Sequence, residues 1–135
     1  MNELHKISSI GKKYNLLLVY LFGSKALGKE SKLSDIDIAV LLKENGRYNL
    51  RELMLDLIFE FGQIFHSDKI DLLILNKASY AIQYGVISEG KLLYQTNPEI
   101  RSQYETRIIK LYLDFKKYET EYYRALQKSI LQESQ

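Results

Sequence analysis

Apolar and polar residues fall into bounded blocks along this chain, and the blocks have different periods. Residues 3–14 place Leu4, Ile7, Ile10 and Tyr14 near helical spacing, which predicts a short opening helix. Leu16 to Phe22, LLLVYLF, is an unbroken apolar run of the kind a strand shows when covered on both faces. Gly23-Ser24 ends it abruptly. From Asp35 to Leu42 the pattern alternates: Ile36, Ile38, Val40 and Leu42 face one way, Asp35, Asp37 and Ala39 the other. Asn45-Gly46 signals a turn. Leu50, Leu53, Met54, Leu57, Ile58, Phe61, Ile64 and Phe65 then recur at helical spacing and predict the clearest helix of the chain. Ile70 to Leu75 reads as a second short strand with Asp71 inside it. Residues 78–88 read as a weaker helix, and Lys91 to Tyr94 as a short strand. Pro98 suits the first turn of a long final helix, over about 98–132.

Along that final helix Tyr104, Ile108, Leu111, Phe115, Tyr118, Tyr122 and Ala125 alternate spacings of four and three, a heptad-like stripe. Two readings follow. Either the helix packs lengthwise on the sheet, or part of this Tyr-rich surface meets another chain, since aromatic residues are enriched at interfaces. The strands and helices together predict an α/β (α+β) domain: a small mixed sheet flanked by helices, with its core in about 1–96.

Composition narrows the class without naming it. A chain of 135 residues fits one domain over 1–135, large enough to fold without a disulfide or structural metal. There is no cysteine, which removes thiolate chemistry and Cys-based zinc sites, and suits a reducing cytoplasm. The opening MNELHKISSIGKKYN mixes charge into its apolar positions, unlike a signal peptide. No apolar run reaches the roughly 20 residues that span a bilayer. The net charge of +2 is too small to point to nucleic acid.

The segment LFGSKALGKESKLSDIDIAVLL carries the chemistry. Its skeleton is Gly23-Ser24, ten intervening residues, then Asp35-Ile36-Asp37. A buried strand ends in Gly-Ser, and a short helix, Lys25 to Gly28, is expected to start there. Glycine lets a phosphate approach the backbone, Ser24 can donate its hydroxyl, and the N–H groups of a helix start favour an anion. Asp35 and Asp37, at i and i+2 on a strand, share a face with Cα atoms roughly 7 Å apart. Two carboxylates so placed repel each other unless a cation sits between them. Hard oxygen ligands suit magnesium, which commonly bridges to substrate phosphates. Two such ions can activate an attacking oxygen and stabilise a leaving pyrophosphate. Asp71 supplies a third ligand or a base if its strand neighbours that of Asp35. The competing reading makes Asp35 and Asp37 the wet face of an edge strand, but aspartate is disfavoured in strands and this one holds two.

GSKALGKESKLSDIDIAV resembles the GS-x10-DxD signature of the polymerase-beta-like nucleotidyltransferase superfamily. With KIDLLILNKA, ISEGKLLYQT and the helix around LYLDF, nearly the whole chain is similar to the small MNT branch. That branch is commonly encoded beside a HEPN protein and serves as the antitoxin of a toxin–antitoxin pair. The resemblance implies magnesium, two ions, held by Asp35, Asp37 and Asp71. It implies nucleotide contacts from Gly23, Ser24, Lys25 and Ser34, with ATP as donor. It implies a tyrosine of a HEPN toxin as acceptor, silenced by adenylylation within a hetero-oligomer in the cytoplasm. Many members have arginine where this chain has Leu27, so Lys25 or Lys29 would have to take over any phosphate contact. The HEPN signature, arginine followed a few residues later by histidine, is absent; His5 and His66 read as surface or capping residues.

Two other functions compete: a module that silences its partner by covering it, and transfer to a small molecule. Small-molecule enzymes of the superfamily usually carry an additional substrate domain. A template-directed polymerase is disfavoured, and neither a membrane nor direct nucleic-acid contact is expected.

Overall fold

The computed structural model describes residues 3–23 and 35–133. Within them the order is α1 (Glu3–Lys13), β1 (Leu16–Phe22), β2 (Ile36–Leu42), α2 (Leu50–Phe65), β3 (Ile70–Ile74), α3 (Tyr80–Glu89), β4 (Lys91–Gln95) and α4 (Pro98–Glu133). A single 3₁₀ turn, Leu75–Lys77, separates β3 from α3. The expected strand therefore stops one residue early, at Ile74.

The sheet order is β3-β2-β1-β4. β1 pairs antiparallel with β2, from Leu16 opposite Leu42 to Phe22 opposite Asp37. β4 lies antiparallel on the other side of β1, with Lys91 opposite Leu21. β3 pairs parallel to β2, so Asp37 stands opposite Asp71. A parallel pair cannot be joined by a tight turn, and α2 is the crossover that allows it.

Helices cover both faces of this sheet. On one face Ile36, Ile38, Val40 and Leu42 pack with Ile7 and Ile10 of α1 and Leu53, Leu57, Phe61 and Ile64 of α2. On the other, Leu18, Tyr20, Ala39 and Leu41 pack with Val86 of α3 and Tyr104 and Ile108 of α4. Burial of side chains such as Leu57 and Phe61 contributes about 1.5–3 kcal/mol each. α1 approaches β4 closely because Gly11 has no Cβ; one built there would enter the Tyr94 ring.

The helix ends follow capping chemistry. Asn49 Oδ1 accepts the Glu52 N–H at the start of α2 (3.2 Å), and Ser79 Oγ accepts the Ile82 N–H at the start of α3 (3.2 Å). Asn97 Oδ1 accepts the Ile100 N–H ahead of Pro98 in α4 (2.9 Å). His66 closes α2 in the left-handed region (φ 53°), the capping role expected of it.

α4 departs from the lengthwise reading. Only its first turns are covered: Tyr104 and Ile108 are buried, whereas Tyr118 is 71% exposed. The reason is length. A helix of 36 residues spans about 54 Å, and strands of at most seven residues span about 23 Å. The sheet cannot cover it. Among the described residues no helix is long and apolar enough to cross a membrane.

Candidate active site

The chemistry-bearing residues collect where β1 ends and β2 and β3 begin. β1 runs out at Phe22, and Gly23 turns the chain away at φ 73°, a conformation that L side chains rarely adopt. A Cβ on Gly23 would also collide with Asp37 Oδ2. Glycine is thus required twice over, by backbone conformation and by the carboxylate packed against it. Phe22 and Asp37 are directly cross-strand, so the turn and the carboxylate are held together by ladder hydrogen bonds.

Asp37 sits on the α3–α4 side of the sheet, with Ala39 and Leu41 two and four residues further along the same face. Asp71 is its register partner across the parallel pair and belongs to the same face. Asp35 stands just before β2, exposed, where the backbone N–H of Ile36 donates to the carbonyl of Lys69 (2.8 Å). Partial burial, then the charge of Asp71, a hydrogen bond shared with Asp71 and the charge of Asp35 together raise the Asp37 carboxyl above the ordinary carboxylate range. All of these push the same way, and none is a cation.

That electrostatic imbalance is the test of fit for a metal. Among the described residues, Asp35, Asp37 and Asp71 included, no group of three or more histidine, cysteine, aspartate or glutamate side chains is placed to hold a metal ion. Asp37 and Asp71 are within hydrogen-bonding reach, while Asp35 acts on Asp37 through its charge. An open, all-oxygen, under-neutralised set fits a magnesium ion that retains water and takes its remaining ligands from substrate phosphates. It does not fit zinc, which favours nitrogen or sulfur ligands.

Of the residues predicted to form a site, the structure brings together Gly23, Asp37 and Asp71, with Asp35 at the margin. Ser24, Lys25 and Ser34 lie outside the described residues, as do Leu27, Lys29 and the short helix expected from Lys25 to Gly28.

Two polar anchors escaped the sequence reading. The Tyr20 hydroxyl donates to Glu105 Oε2 (2.6 Å), which also accepts from Arg101 Nε (3.0 Å). The Tyr104 hydroxyl donates to Gln83 Oε1 (2.6 Å), while Gln83 Nε2 donates to the Ala78 carbonyl (2.9 Å). Burial raises the pKa of both tyrosines and keeps them as neutral donors. These bonds fix α4 to β1 and α3. A tyrosine amid an apolar run was the available signal, since a buried hydroxyl needs a partner.

The mixed sheet covered by helices, with carboxylates from two neighbouring strands beside a glycine turn, matches the nucleotidyl-transferring class expected from the sequence. The family model described as polymerase beta, nucleotidyltransferase matches residues 5–99, and the chain belongs to that family. It is 35% identical over 112 residues to protein adenylyltransferase MntA of Aphanizomenon flos-aquae, covering 77% of this chain and 73% of that protein. Protein adenylyltransferase MntA of Shewanella oneidensis is 34% identical over 88 residues, covering 62% of this chain and 58% of that one. Among solved structures, a chain of a toxin–antitoxin crystal structure with AMP-PNP superposes with TM-score 0.69 at 29% identity, covering 87% of this chain and 92% of that one. A chain from the complex of tri-AMPylated Shewanella oneidensis HEPN toxin with MNT antitoxin superposes with TM-score 0.64 at 25% identity, covering 86% and 88%. The expected superfamily and branch are borne out.

Proposed function

We propose that this chain is a protein adenylyltransferase that transfers AMP from ATP to a hydroxyl of a HEPN toxin and acts as its antitoxin. The carrying observation is the convergence of Gly23, Asp37 and Asp71 at one end of the sheet, in a chain related to proteins named for that activity.

In this reading 1–135 is a minimal nucleotidyltransferase, with its core to about residue 96 and α4 appended. Gly23 opens a path for the triphosphate, and Ser24, Lys25 and Ser34 complete its cradle. Asp35, Asp37 and Asp71 would hold magnesium, two ions, which would neutralise charge on the phosphates and on the attacking oxygen. An acceptor tyrosine oxygen attacks the α-phosphorus, forming an O–P bond as the bond to the β-phosphate oxygen breaks. Pyrophosphate leaves, and the tyrosine proton passes to a carboxylate of the site. The setting is the cytoplasm, where ATP is available.

The test uses a HEPN toxin co-expressed with this chain, labelled ATP and magnesium. The unaltered chain is expected to add AMP mass to the toxin. Asp35→Asn/Asp37→Asn should fold and transfer none. Equal transfer by that variant would remove the aspartates from the chemistry. An unmodified toxin, fully silenced by the double variant, would make the chain a binding module. The exposed outer part of α4 is the observation that favours this second reading.

A further inference from the structure

The register that brings Asp71 beside Asp37 reaches one residue beyond the strands. Ile36 stands opposite Ile70, and the Ile36 N–H donates to the Lys69 carbonyl (2.8 Å). One rung earlier, Lys69 therefore falls opposite Asp35. Side chains two apart along a strand share a face, so Lys69 goes with Asp71 and Leu73, as Asp35 goes with Asp37. Leu73 packs on the α3–α4 side, which identifies the face. Three carboxylates and one ammonium thus share one patch.

The backbone of Lys69 is held from both sides: its N–H donates to Ser67 Oγ (3.0 Å), and its carbonyl accepts from Ile36. The side chain is exposed, and among the described residues its ammonium forms no ion pair, although carboxylates flank it. Lys91 also lies at this end of the sheet. It stands opposite Leu21, which packs on the α1–α2 side, and so it faces away from the carboxylates. Lys69 is the cation with a fixed base and an uncommitted head on the carboxylate face.

Strand order tells which substrate that head meets. The order is β3-β2-β1, with Gly23 on the β1 side of Asp37 and Lys69 on the β3 side of Asp35. In the proposed function the triphosphate approaches at Gly23. Attacking and leaving oxygens stand roughly in line through the phosphorus. Pyrophosphate that departs on the β1 side leaves the β3 side to the attacking oxygen.

We propose that Lys69 is a catalytic residue on the acceptor side, donating a hydrogen bond from its ammonium to the acceptor hydroxyl oxygen as that oxygen attacks. The proposal rests on the functional reading above. The acceptor O–H bond breaks and its proton passes to the Asp71 carboxylate, while an electron pair of the oxygen forms the bond to the α-phosphorus. The bond from that phosphorus to the bridging oxygen breaks, and its pair leaves with pyrophosphate. Lys69 keeps its proton throughout. Its charge offsets the repulsion that Asp35 and Asp71 exert on an oxygen gaining negative charge.

Lys69→Met keeps most of the stem and removes the charge; Lys69→Arg keeps the charge. The backbone bonds of residue 69 survive both changes, so thermal melts should match that of the unaltered chain. With a HEPN toxin, labelled ATP and magnesium, Lys69→Met should lower kcat about tenfold or more and leave the KM for ATP unchanged. Lys69→Arg should retain most of the rate. Toxin made with fluorotyrosine, a more acidic phenol, should recover part of the rate that Lys69→Met loses, because its oxygen sheds the proton with less help. A raised KM for ATP at unchanged kcat would give Lys69 to the triphosphate and overturn the proposal. An unchanged kcat in Lys69→Met would overturn it too, as would an equal fractional loss with both phenols; each leaves the functional reading intact. No transfer by the unaltered chain would sink that reading, and this proposal with it.

Discussion

α2 and α4 carry the same kind of apolar stripe, yet α2 is covered along its length and α4 only over its first turns. In α2, Leu53, Leu57, Phe61 and Ile64 are all buried under the sheet. In α4, burial ends after Ile108, and Tyr112 finds its cover as a stacked pair with Tyr84 (centroids 4.2 Å apart). The α4 stripe is richer in tyrosine, but residue type alone does not decide burial, since Tyr104 of the same stripe is buried. Length does: 16 residues, about 24 Å, match the strands they lie across, and 36 residues overrun them. Periodicity therefore tells which side of a helix is apolar, and the dimensions of its neighbour tell how much of that side is core.

The contrast can be broken most sharply by truncation. Phe61→Ala should cost about 3–5 kcal/mol of stability, because a fully buried ring leaves a cavity the core cannot refill. Tyr122→Ala should change stability by less than about 0.5 kcal/mol. Urea unfolding of both gives the comparison, and a large loss for Tyr122→Ala would place that residue in a covered environment. Between these extremes lies the point where α4 is anchored. Tyr104→Phe should cost about 1–3 kcal/mol, since it strands the Gln83 oxygen at a buried position. A neutral result would mean that water replaces the hydroxyl.

The carboxylate end offers two smaller effects. Gly23→Ala should cost about 1–2 kcal/mol from the left-handed backbone alone. It should lower transfer disproportionately, because the methyl group displaces Asp37; thermal melts alongside transfer assays separate the two losses. Asp37→Asn should slightly raise the melting temperature in metal-free neutral buffer. The sign follows from proton affinity. The folded chain holds the Asp37 proton more tightly than the unfolded chain, so ionisation favours unfolding. Stability is lost as pH rises through the window from the ordinary carboxylate value to the raised one, and recovered on acidification. The asparagine variant should lose this increment of pH dependence, and an unchanged melt would mean the repulsion is already screened.

Element by element, the fold was legible where pattern and length agree. LLLVYLF read as a doubly covered strand and is β1, and the helical spacing from Leu50 to Phe65 matches α2 at both ends. The pair Asp35 and Asp37 was legible because aspartate is disfavoured in strands, although β2 begins at Ile36 and holds Asp37 alone. Their meeting with Asp71 was not, since strand order and parallel register are set by how α2 crosses the sheet. The partners of Tyr20 and Tyr104 were hidden for the same reason: Glu105 and Gln83 are 85 and 21 residues away in sequence.

Asn76 stands in for a strand where β3 has ended. Its amide donates to the Leu42 carbonyl and accepts the Leu42 N–H, both at 2.8 Å, so one side chain imitates a peptide group beside β2. The pairing of β3 with β2 is thereby locked at its last rung. Parallel pairing across a helical crossover is slow to form, because a long loop must close before any ladder bond rewards it. During synthesis the β1–β2 hairpin, with Gly23 and Asp37, can therefore form before Asp71 reaches it. The amide clamp arrives only five residues after Asp71 and then holds the register against slippage. Until β3 pairs with β2, Asp71 does not stand beside Asp37, so the proposed site is incomplete before that pairing forms.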